Sequence, residues 1–185
     1  MTKNKARATA NYTFQPGEFI LVDANVWLYL RHPAAQPPPR FSMAYSAAFK
    51  NLLTAKSKPV IEALVLSEYL NRYIRFEYDA YWRGSYPEFK DFRLSSDFAM
   101  LGAAAIADAG QIIKLSTPEF SPLHLVNLPD ILNETASGRL DFNDGMLVET
   151  CRLRGWKLLT NDADMTLGGI EVLTSNPKLL AACPP

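Results

Sequence analysis

The feature that most constrains the fold is a short apolar run that ends at a single carboxylate. Residues 19–22 read FILV, Asp23 follows directly, and apolar residues then resume in the segment ANVWLYL. A continuous apolar run without polar alternation is typical of a strand that is buried on both faces, as in a parallel sheet. A carboxylate at the end of such a strand is costly unless a hydrogen bond, an opposite charge or a metal ion compensates it.

Short apolar runs alternate with segments of helical period along the rest of the chain. Further candidate strands are residues 59–61, 112–116, 156–160 and 170–174. Helices are predicted over residues 24–30, 43–56, 63–78, 95–110, 127–136 and 141–155. Strands that alternate with helices favour an α/β fold with a central, mostly parallel sheet flanked by helices.

Length and composition predict one folded domain with a polar lead-in before it and a short tail after it. The chain has 185 residues, and we assign residues 1–18 to a flexible lead-in, 19–175 to the domain and 176–185 to a C-terminal tail. The formal net charge is zero, so any nucleic-acid contact must be a local patch. No apolar run looks long enough to span a bilayer, and we expect no membrane contact.

The two cysteines give no sign of a disulfide or a metal site. Cys151 lies in a helical pattern and Cys183 in the terminal segment, and no metal-ligand spacing links them. We therefore expect reduced thiols in a cytoplasmic protein.

Two segments stand out by composition. Residues 33–40 read PAAQPPPR, and because proline lacks an amide donor and fixes φ, we predict an exposed loop there. Residues 77–92 carry six aromatic side chains. Packing within a helical hairpin is the preferred interpretation of this segment, and a surface groove for a partner helix is the alternative.

Three acids lie where strands end or helices begin, a fourth lies inside the long helix of residues 63–78, and each has an ordinary explanation. Asp23 could cap a helix, and Glu68 could pair with Arg72 one turn later. Asp144 could complement a helix dipole, and Asp162 could be a turn residue.

Taken together, the four acids predict a metal site. In an open parallel sheet the ligand crevice lies outside the carboxyl ends of the strands, where Asp23 and Asp162 are expected. Carboxylates that converge there repel one another and raise their pKa values unless a divalent cation is bound. All-oxygen ligation suits Mg²⁺ or Mn²⁺, and His32 and His124 lie in separate proline-flanked segments that do not suggest zinc.

The blocks that carry these acids resemble the PIN-domain ribonucleases, the family that includes the VapC-type toxins of toxin–antitoxin pairs. The blocks are LVDANVWL, LVLSEYLNRY and LDFNDGMLVETCRLRGWKLLTND, in family order within residues 19–173. The chain departs from the family pattern at Gly145, where alanine is usual, and at Met165, where phenylalanine is common. The resemblance implies a PIN-like three-layer fold.

The resemblance also implies an Mg²⁺-dependent endoribonuclease that leaves a 5′-phosphate and a 3′-hydroxyl. The acids that would hold one or two ions are Asp23, Glu68, Asp144 and Asp162. Asn25 and Thr160 would orient water or a ligand carboxylate, and Asp141 and Asp164 would either bind metal through water or only cap and turn, the latter being preferred.

Substrate contacts are predicted on the helix that carries Glu68. Arg72 and Arg75 lie one and two turns beyond it and could bind RNA phosphates. The competing interpretation is that Arg72 only pairs with Glu68 and Arg75 is solvated.

Family behaviour implies two further partners besides RNA: the C-terminal segment of an antitoxin and a second copy of the chain. Two alternatives to a toxin stay open. One is a PIN-type nuclease that acts in RNA maturation or on DNA, and the other is an inactive PIN module that binds RNA or protein.

Overall fold

The computed structural model describes residues 2–34 and 40–185, and its centre is a six-stranded sheet. The strands are β1 (Lys5–Ala8), β2 (Phe19–Val22), β3 (Lys58–Ile61), β4 (Thr117–Pro118), β5 (Lys157–Leu159) and β6 (Glu171–Thr174). Their spatial order is β1-β6-β5-β2-β3-β4, and every neighbouring pair is parallel. The predicted three-layer α/β fold is confirmed, with a sheet whose paired strands are all parallel. Most of the predicted proline-rich loop lies outside the described residues.

Eight α-helices connect and cover the strands in the described part of the chain. They are α1 (Ala24–Leu30), α2 (Ser42–Thr54), α3 (Ala63–Glu77), α4 (Phe89–Arg93), α5 (Asp97–Leu115), α6 (Leu128–Ala136), α7 (Phe142–Arg154) and α8 (Pro177–Ala182). A π-helical turn, Tyr78–Trp82, continues α3. Helices α1, α3 and α5 pack in sequence on one another, and α6 packs on α7.

The prediction of a flexible lead-in is wrong for residues 5–8. They form β1, which pairs with β6 from Lys5 opposite Glu171 to Ala8 opposite Thr174. Ala6 is buried, whereas Lys5 and Arg7 are exposed. This period of two is the only strand signal in KARA, and small and charged residues make it weak.

The C-terminal segment is likewise a packed element. Asn176 accepts a hydrogen bond from the amide of Lys178 and caps α8, which begins with Pro177. Leu179 and Cys183 are buried in the core, and the carbonyl of Cys183 accepts a hydrogen bond from the amide of Ala6 at 2.7 Å. Both cysteines are free and buried.

A strand predicted over residues 112–116 is wrong, because α5 continues to Leu115. The buried residues of α5 are Leu101, Ala105, Ala109 and Ile112, which follow helical spacing and place 112 on the core side. Strand β4 is only two residues long and begins after the helix. A short apolar run fits either a strand or a buried helix face. Here the run is the last turn of the 19-residue helix α5.

Helix α5 also corrects the expectation that no segment could span a bilayer. It has 19 residues with a mean hydropathy of 1.4, which by length and composition alone is enough to cross a membrane. A single helix of this kind is weak evidence for a membrane span, since core helices meet the same criteria of length and composition. It packs on α3.

The aromatic segment 77–92 packs largely as a core. Phe92 is fully buried and lies at the centre of the cluster. The rings around it are those of Tyr78, Trp82, Tyr86, Phe89 and Phe98, with centroids between 5.4 and 6.3 Å away. Only Tyr81 among the rings of this segment is mostly exposed. The preferred interpretation, core packing in a helical hairpin, is confirmed for these rings.

The start of α7 is held tightly against α6, which explains one departure from the family pattern. A Cβ added at Gly145 would lie 2.7 Å from Cγ2 of Ile131 and 3.4 Å from Cδ2 of Leu140. Ile131 is buried and β-branched, so it cannot easily move aside. Glycine at 145 therefore permits the close approach of α6 to the helix turn that carries Asp144.

Replacing Gly145 with alanine is expected to destabilise the fold. The clash with Ile131 should cost about 1–3 kcal/mol, more than the roughly 0.5–1 kcal/mol that alanine gains in a helix. Gly110→Ala in α5 is the matched control, because a Cβ there meets nothing within 4 Å. Urea unfolding should show Gly145→Ala below the wild type and Gly110→Ala at or above it; equal gains at both positions would contradict the packing argument.

Candidate metal and nuclease site

Asp23 lies at the point where the two central strands end. Its amide donates to the carbonyl of Leu159 at 3.0 Å, and its own carbonyl accepts from the amides of Val26 and Trp27 at the start of α1. The side chain makes no capping bond to that helix. The carboxylate instead accepts hydrogen bonds from Thr160 Oγ1 at 2.6 Å and from the Asn25 amide. Capping therefore explains the backbone of Asp23 and not its side chain.

A hydrogen-bond network fixes this carboxylate across the β2–β5 pair. Asn25 Nδ2 also donates to Thr160 Oγ1 at 3.1 Å, and Asn25 Oδ1 accepts from the amide of Asn161 at 2.9 Å. Thr160 Oγ1 accepts from the amide of Asp162 at 3.0 Å. Asn25 and Thr160 thus lie beside Asp23, where the sequence predicted groups that orient a carboxylate.

The other predicted acids lie within electrostatic range of Asp23. Burial, together with the charges of Glu68 and Asp162, raises the pKa of Asp23 to about 6. Asp144, in the first turn of α7, has its pKa raised to about 8. The causes for Asp144 are burial first, then Asp23, Asp162, Asp141 and Glu68. Four elements therefore bring the predicted carboxylates to one region of the molecule.

This region opens into a cleft. A cavity of about 340 Å³ is lined by Asp141, Asp144 and Asp164, with Arg139 and Thr166 among the other residues at its walls. Arg139 forms an ion pair with Glu134 at 2.9 Å. The cleft has room for water and a substrate group next to Asp144.

The donor set fits a hard divalent cation in chemistry. The converging side chains offer carboxylate oxygens and carry a repulsion that a cation would relieve. In residues 2–34 and 40–185, no three His, Cys, Asp or Glu side chains already form a compact ligand group. Glu68 is held by Arg72 at 3.1 Å, so bringing it onto a shared ion would compete with that pair.

The predicted substrate contacts are engaged within the protein. Arg72 pairs with Glu68, as the competing interpretation expected. The guanidinium of Arg75 stacks on the ring of Phe89, 3.6 Å from its centroid. Of the two outer acids, Asp141 caps α7 by accepting from the amide of Asn143 at 2.7 Å, while the Asp164 amide donates to Asp162 at 2.8 Å.

Sequence reasoning missed the polar and aromatic groups behind the acids. Asn161 Nδ2 donates to the hydroxyl of Tyr29 at 2.9 Å, and the hydroxyl of Tyr45 donates to Asn161 Oδ1 at 3.0 Å. One signal was readable: Tyr29 follows Asn25 by four residues and so shares its helix face. Tyr45 lies on another helix, and nothing in its local sequence marks it.

A further buried acid at the same edge of the sheet, Glu62, also escaped the sequence analysis. It follows β3 directly, and burial raises its pKa to about 7, with Glu119 raising it further and Arg154 lowering it. None of the acids of the cluster around Asp23 affects it. Glu62 is therefore a separate feature of the same sheet edge.

Comparison with known proteins identifies the family of this fold. The PIN-domain family profile matches residues 20–167. The chain belongs to the PIN-domain family, whose members are generally nucleases that depend on divalent metal. The resemblance noted in the sequence is thus confirmed, while the role of each acid stays a prediction.

Two solved structures resemble this chain. One is VapBC2 from Rickettsia felis bound to a DNA fragment from their promoter, with a TM-score of 0.51 and 12% identity, covering 84% of this chain and 98% of that chain. Such low identity shows the shared fold alone. The other is PAE2754 from Pyrobaculum aerophilum, with a TM-score of 0.45 and 20% identity, covering 83% and 90%. No curated protein matches the chain.

The raised pKa values predict an unusual dependence of stability on pH. Asp23 and Asp144 bind protons more tightly in the folded chain than at their ordinary value of 3.8. The folded state therefore binds more protons than the unfolded state, and without metal the free energy of unfolding should fall as pH rises from about 4 to about 8. Asp144→Asn should remove much of that fall and stabilise the protein by roughly 1–3 kcal/mol at pH 8.

Denaturant unfolding at several pH values in EDTA measures this effect. The matched control is Glu88→Gln, since Glu88 is exposed and its side chain makes no capping bond. The control should keep the wild-type pH dependence. If Asp144→Asn destabilised the protein equally at pH 5 and pH 8, the carboxylate would not be under repulsion.

Proposed function

We propose that this chain is a Mg²⁺-dependent endoribonuclease that hydrolyses RNA phosphodiester bonds, and that it is the VapC-like toxin of a toxin–antitoxin pair. The observation that supports it is electrostatic: Glu68 and Asp162 raise the pKa of Asp23, and all three of these acids raise the pKa of Asp144, within a member of a nuclease family. The inactive-module alternative is disfavoured because all four acids are present and because the other three raise the pKa of Asp144.

In this proposal the protein supplies position and charge. Asp23, Glu68, Asp144 and Asp162 would hold Mg²⁺ or Mn²⁺, which would lower the pKa of an attacking water and offset charge on the leaving oxygen. Thr160 and Asn25 keep Asp23 in one rotamer by donating to its carboxylate. That arrangement reduces the reorganisation needed when substrate binds.

Removing either central carboxylate should abolish cleavage without unfolding the chain. Asp23→Asn and Asp144→Asn should each lower metal-dependent RNA cleavage by at least about a hundredfold. EDTA should do the same to the wild type, and added Mg²⁺ should restore it. The assay is cleavage of a labelled single-stranded RNA, with Glu88→Gln as the control. Full activity of an Asp variant would refute the role given to that residue.

The Glu68–Arg72 pair makes a separate prediction. Arg72→Gln frees Glu68, so the Mg²⁺ concentration for half-maximal activity should fall by a few-fold. If Arg72 also contacts phosphate, KM for RNA should rise in the same variant. Arg83→Gln is the matched control, because Arg83 pairs with Asp79 four residues earlier on the surface at 3.0 Å. An unchanged metal dependence would show that the pair does not restrain Glu68.

Partners follow from the same proposal. We propose an antitoxin whose C-terminal segment binds this chain, a homodimer, and a cytoplasmic location. Expression with and without the neighbouring gene, scored by growth arrest and mapping of RNA ends, tests the toxin assignment. Cleavage without growth arrest would favour a role in RNA maturation, and cleavage of DNA alone would exclude RNA as the substrate.

A further inference from the structure

A row of two aromatic rings and a guanidinium begins at Tyr29, beside the acidic cluster, and has no role in the function proposed above. The hydroxyl of Tyr29 accepts a hydrogen bond from Asn161. The ring of Phe41, just before α2, lies 6.1 Å from the ring of Tyr29, centroid to centroid. The guanidinium of Arg40 lies 5.5 Å from the Phe41 centroid.

The charges of the acidic cluster act on Tyr29. Asp162 and Asp23 raise the pKa of the Tyr29 hydroxyl, and Arg72 lowers it, with burial as the largest cause of its net rise. Asn161, which holds this hydroxyl, also donates its amide to Asn25 beside Asp23. Tyr29 therefore lies at the edge of the acidic cluster, and a group bound against its ring would be adjacent to the acids.

Packing within the protein fixes the position of the two rings, and part of each ring surface stays exposed. Tyr45 is buried and stacks on Tyr29 with centroids 5.5 Å apart and planes 17° from parallel. Ser42 ties the two helices together by donating to the carbonyl of Tyr29 at 2.7 Å. Tyr29 and Phe41 are only partly buried, and Arg40 is exposed. A pre-positioned ring surface binds a flat partner at low entropic cost.

We propose that Arg40, Phe41 and Tyr29 form a nucleotide subsite, in which an unpaired base of the substrate rests against the rings and a flanking phosphate contacts the guanidinium. The subsite rests on the proposed function, since it selects single-stranded RNA for cleavage at the neighbouring acids. We call these three residues the stacking subsite.

Charge favours a nucleotide over an apolar peptide at the stacking subsite. The acidic cluster repels phosphates, so RNA needs cations close to it. Arg72 is paired with Glu68, and Arg75 lies on Phe89. Within the described residues Arg40 has no carboxylate partner, and it already lies next to an aromatic ring. Aromatic rings interleaved with cations are the usual platform for unpaired bases.

Kinetics on a single-stranded RNA that the wild type cuts test the subsite. Phe41→Ala and Arg40→Gln should each raise KM roughly fivefold or more, with a smaller change in kcat, whereas Phe41→Tyr should restore most of the affinity. Met43→Ala is the matched control, because Met43 lies in the first turn of α2, is 86% exposed, and is outside the subsite. Arg40→Gln is a surface change and stays informative if Phe41→Ala misfolds.

Abasic RNA separates stacking from a general loss of packing. Bases near the cut are removed one at a time. Removal of the stacked base should weaken binding of RNA to the wild type. The same removal should cause no further loss of affinity in Phe41→Ala, which already lacks the ring. Equal penalties for both proteins at every position, or unchanged KM in Phe41→Ala and Arg40→Gln, would overturn the subsite and leave the face for a protein partner.

The same comparison distinguishes failure of the subsite from failure of the proposed function. If the wild type cuts no RNA, the nuclease proposal fails. The subsite is then tested by binding: fluorescence anisotropy measures the affinity for the same labelled intact and abasic strands. The subsite stands if removing the stacked base weakens binding to the wild type and not to Phe41→Ala. If the wild type cuts RNA and the abasic penalties do not differ, the nuclease proposal stands and the subsite is wrong.

Discussion

The repulsion among carboxylates at the carboxyl edge of the sheet is the constraint on which the rest of the site depends. Asp144 feels four other acids, and burial removes the water that would screen them. An arrangement of this kind costs stability, and it persists because the parallel sheet and the helices around it fix the backbones that carry it. The fold therefore maintains an electrostatic cost that only a cation, or protons, can relieve.

The β2–β5 pair shows how the backbone imposes this geometry. Val22 lies opposite Leu159, so the next residues, Asp23 and Thr160, must meet at the same edge. Their side chains then form a hydrogen bond of 2.6 Å. Continuous burial of both strands makes the register hard to shift, since a slip would place a carboxylate inside the apolar layer. Sheet pairing and site geometry are thus one constraint.

Much of this arrangement could be read from the sequence because it depends on period and position. The run FILV ending at Asp23, the helix closed by Gly155 and the late strands all follow from local pattern. The strand of residues 5–8 could not be found, because its pairing with β6 spans more than 160 residues and KARA has little strand propensity. The false strand at 112–116 arose because an apolar run does not reveal on its own whether it continues a helix.

The site residues also separate into those that local sequence predicts and those that only tertiary packing brings together. Asp23, Asp144 and Asp162 could be predicted, since their position after strands and at a helix start is local information. Glu68 lies inside α3 and was picked out through its place in the family-like block. Of the supporting groups, Asn25 and Thr160 were expected from the resemblance and lie beside Asp23. Tyr45 and Asn161 could not be predicted, because they meet only when α2 packs beside the end of β5. The direction of the Arg75 side chain also escaped prediction. Helix spacing placed Arg75 near Glu68, but its guanidinium stacks on the ring of Phe89, which belongs to α4.

Gly145 shows that a departure from a family pattern can be structural rather than functional. A missing methyl group beside Asp144 might suggest a weakened site if only the family pattern were considered. The neighbouring side chain gives a different reason, because Ile131 occupies the space that an alanine Cβ would need. Close packing of α6 on the first turn of α7 restricts how far Asp144 can move from the other acids. A substitution that looks like loss therefore maintains the crowding on which the proposed chemistry depends.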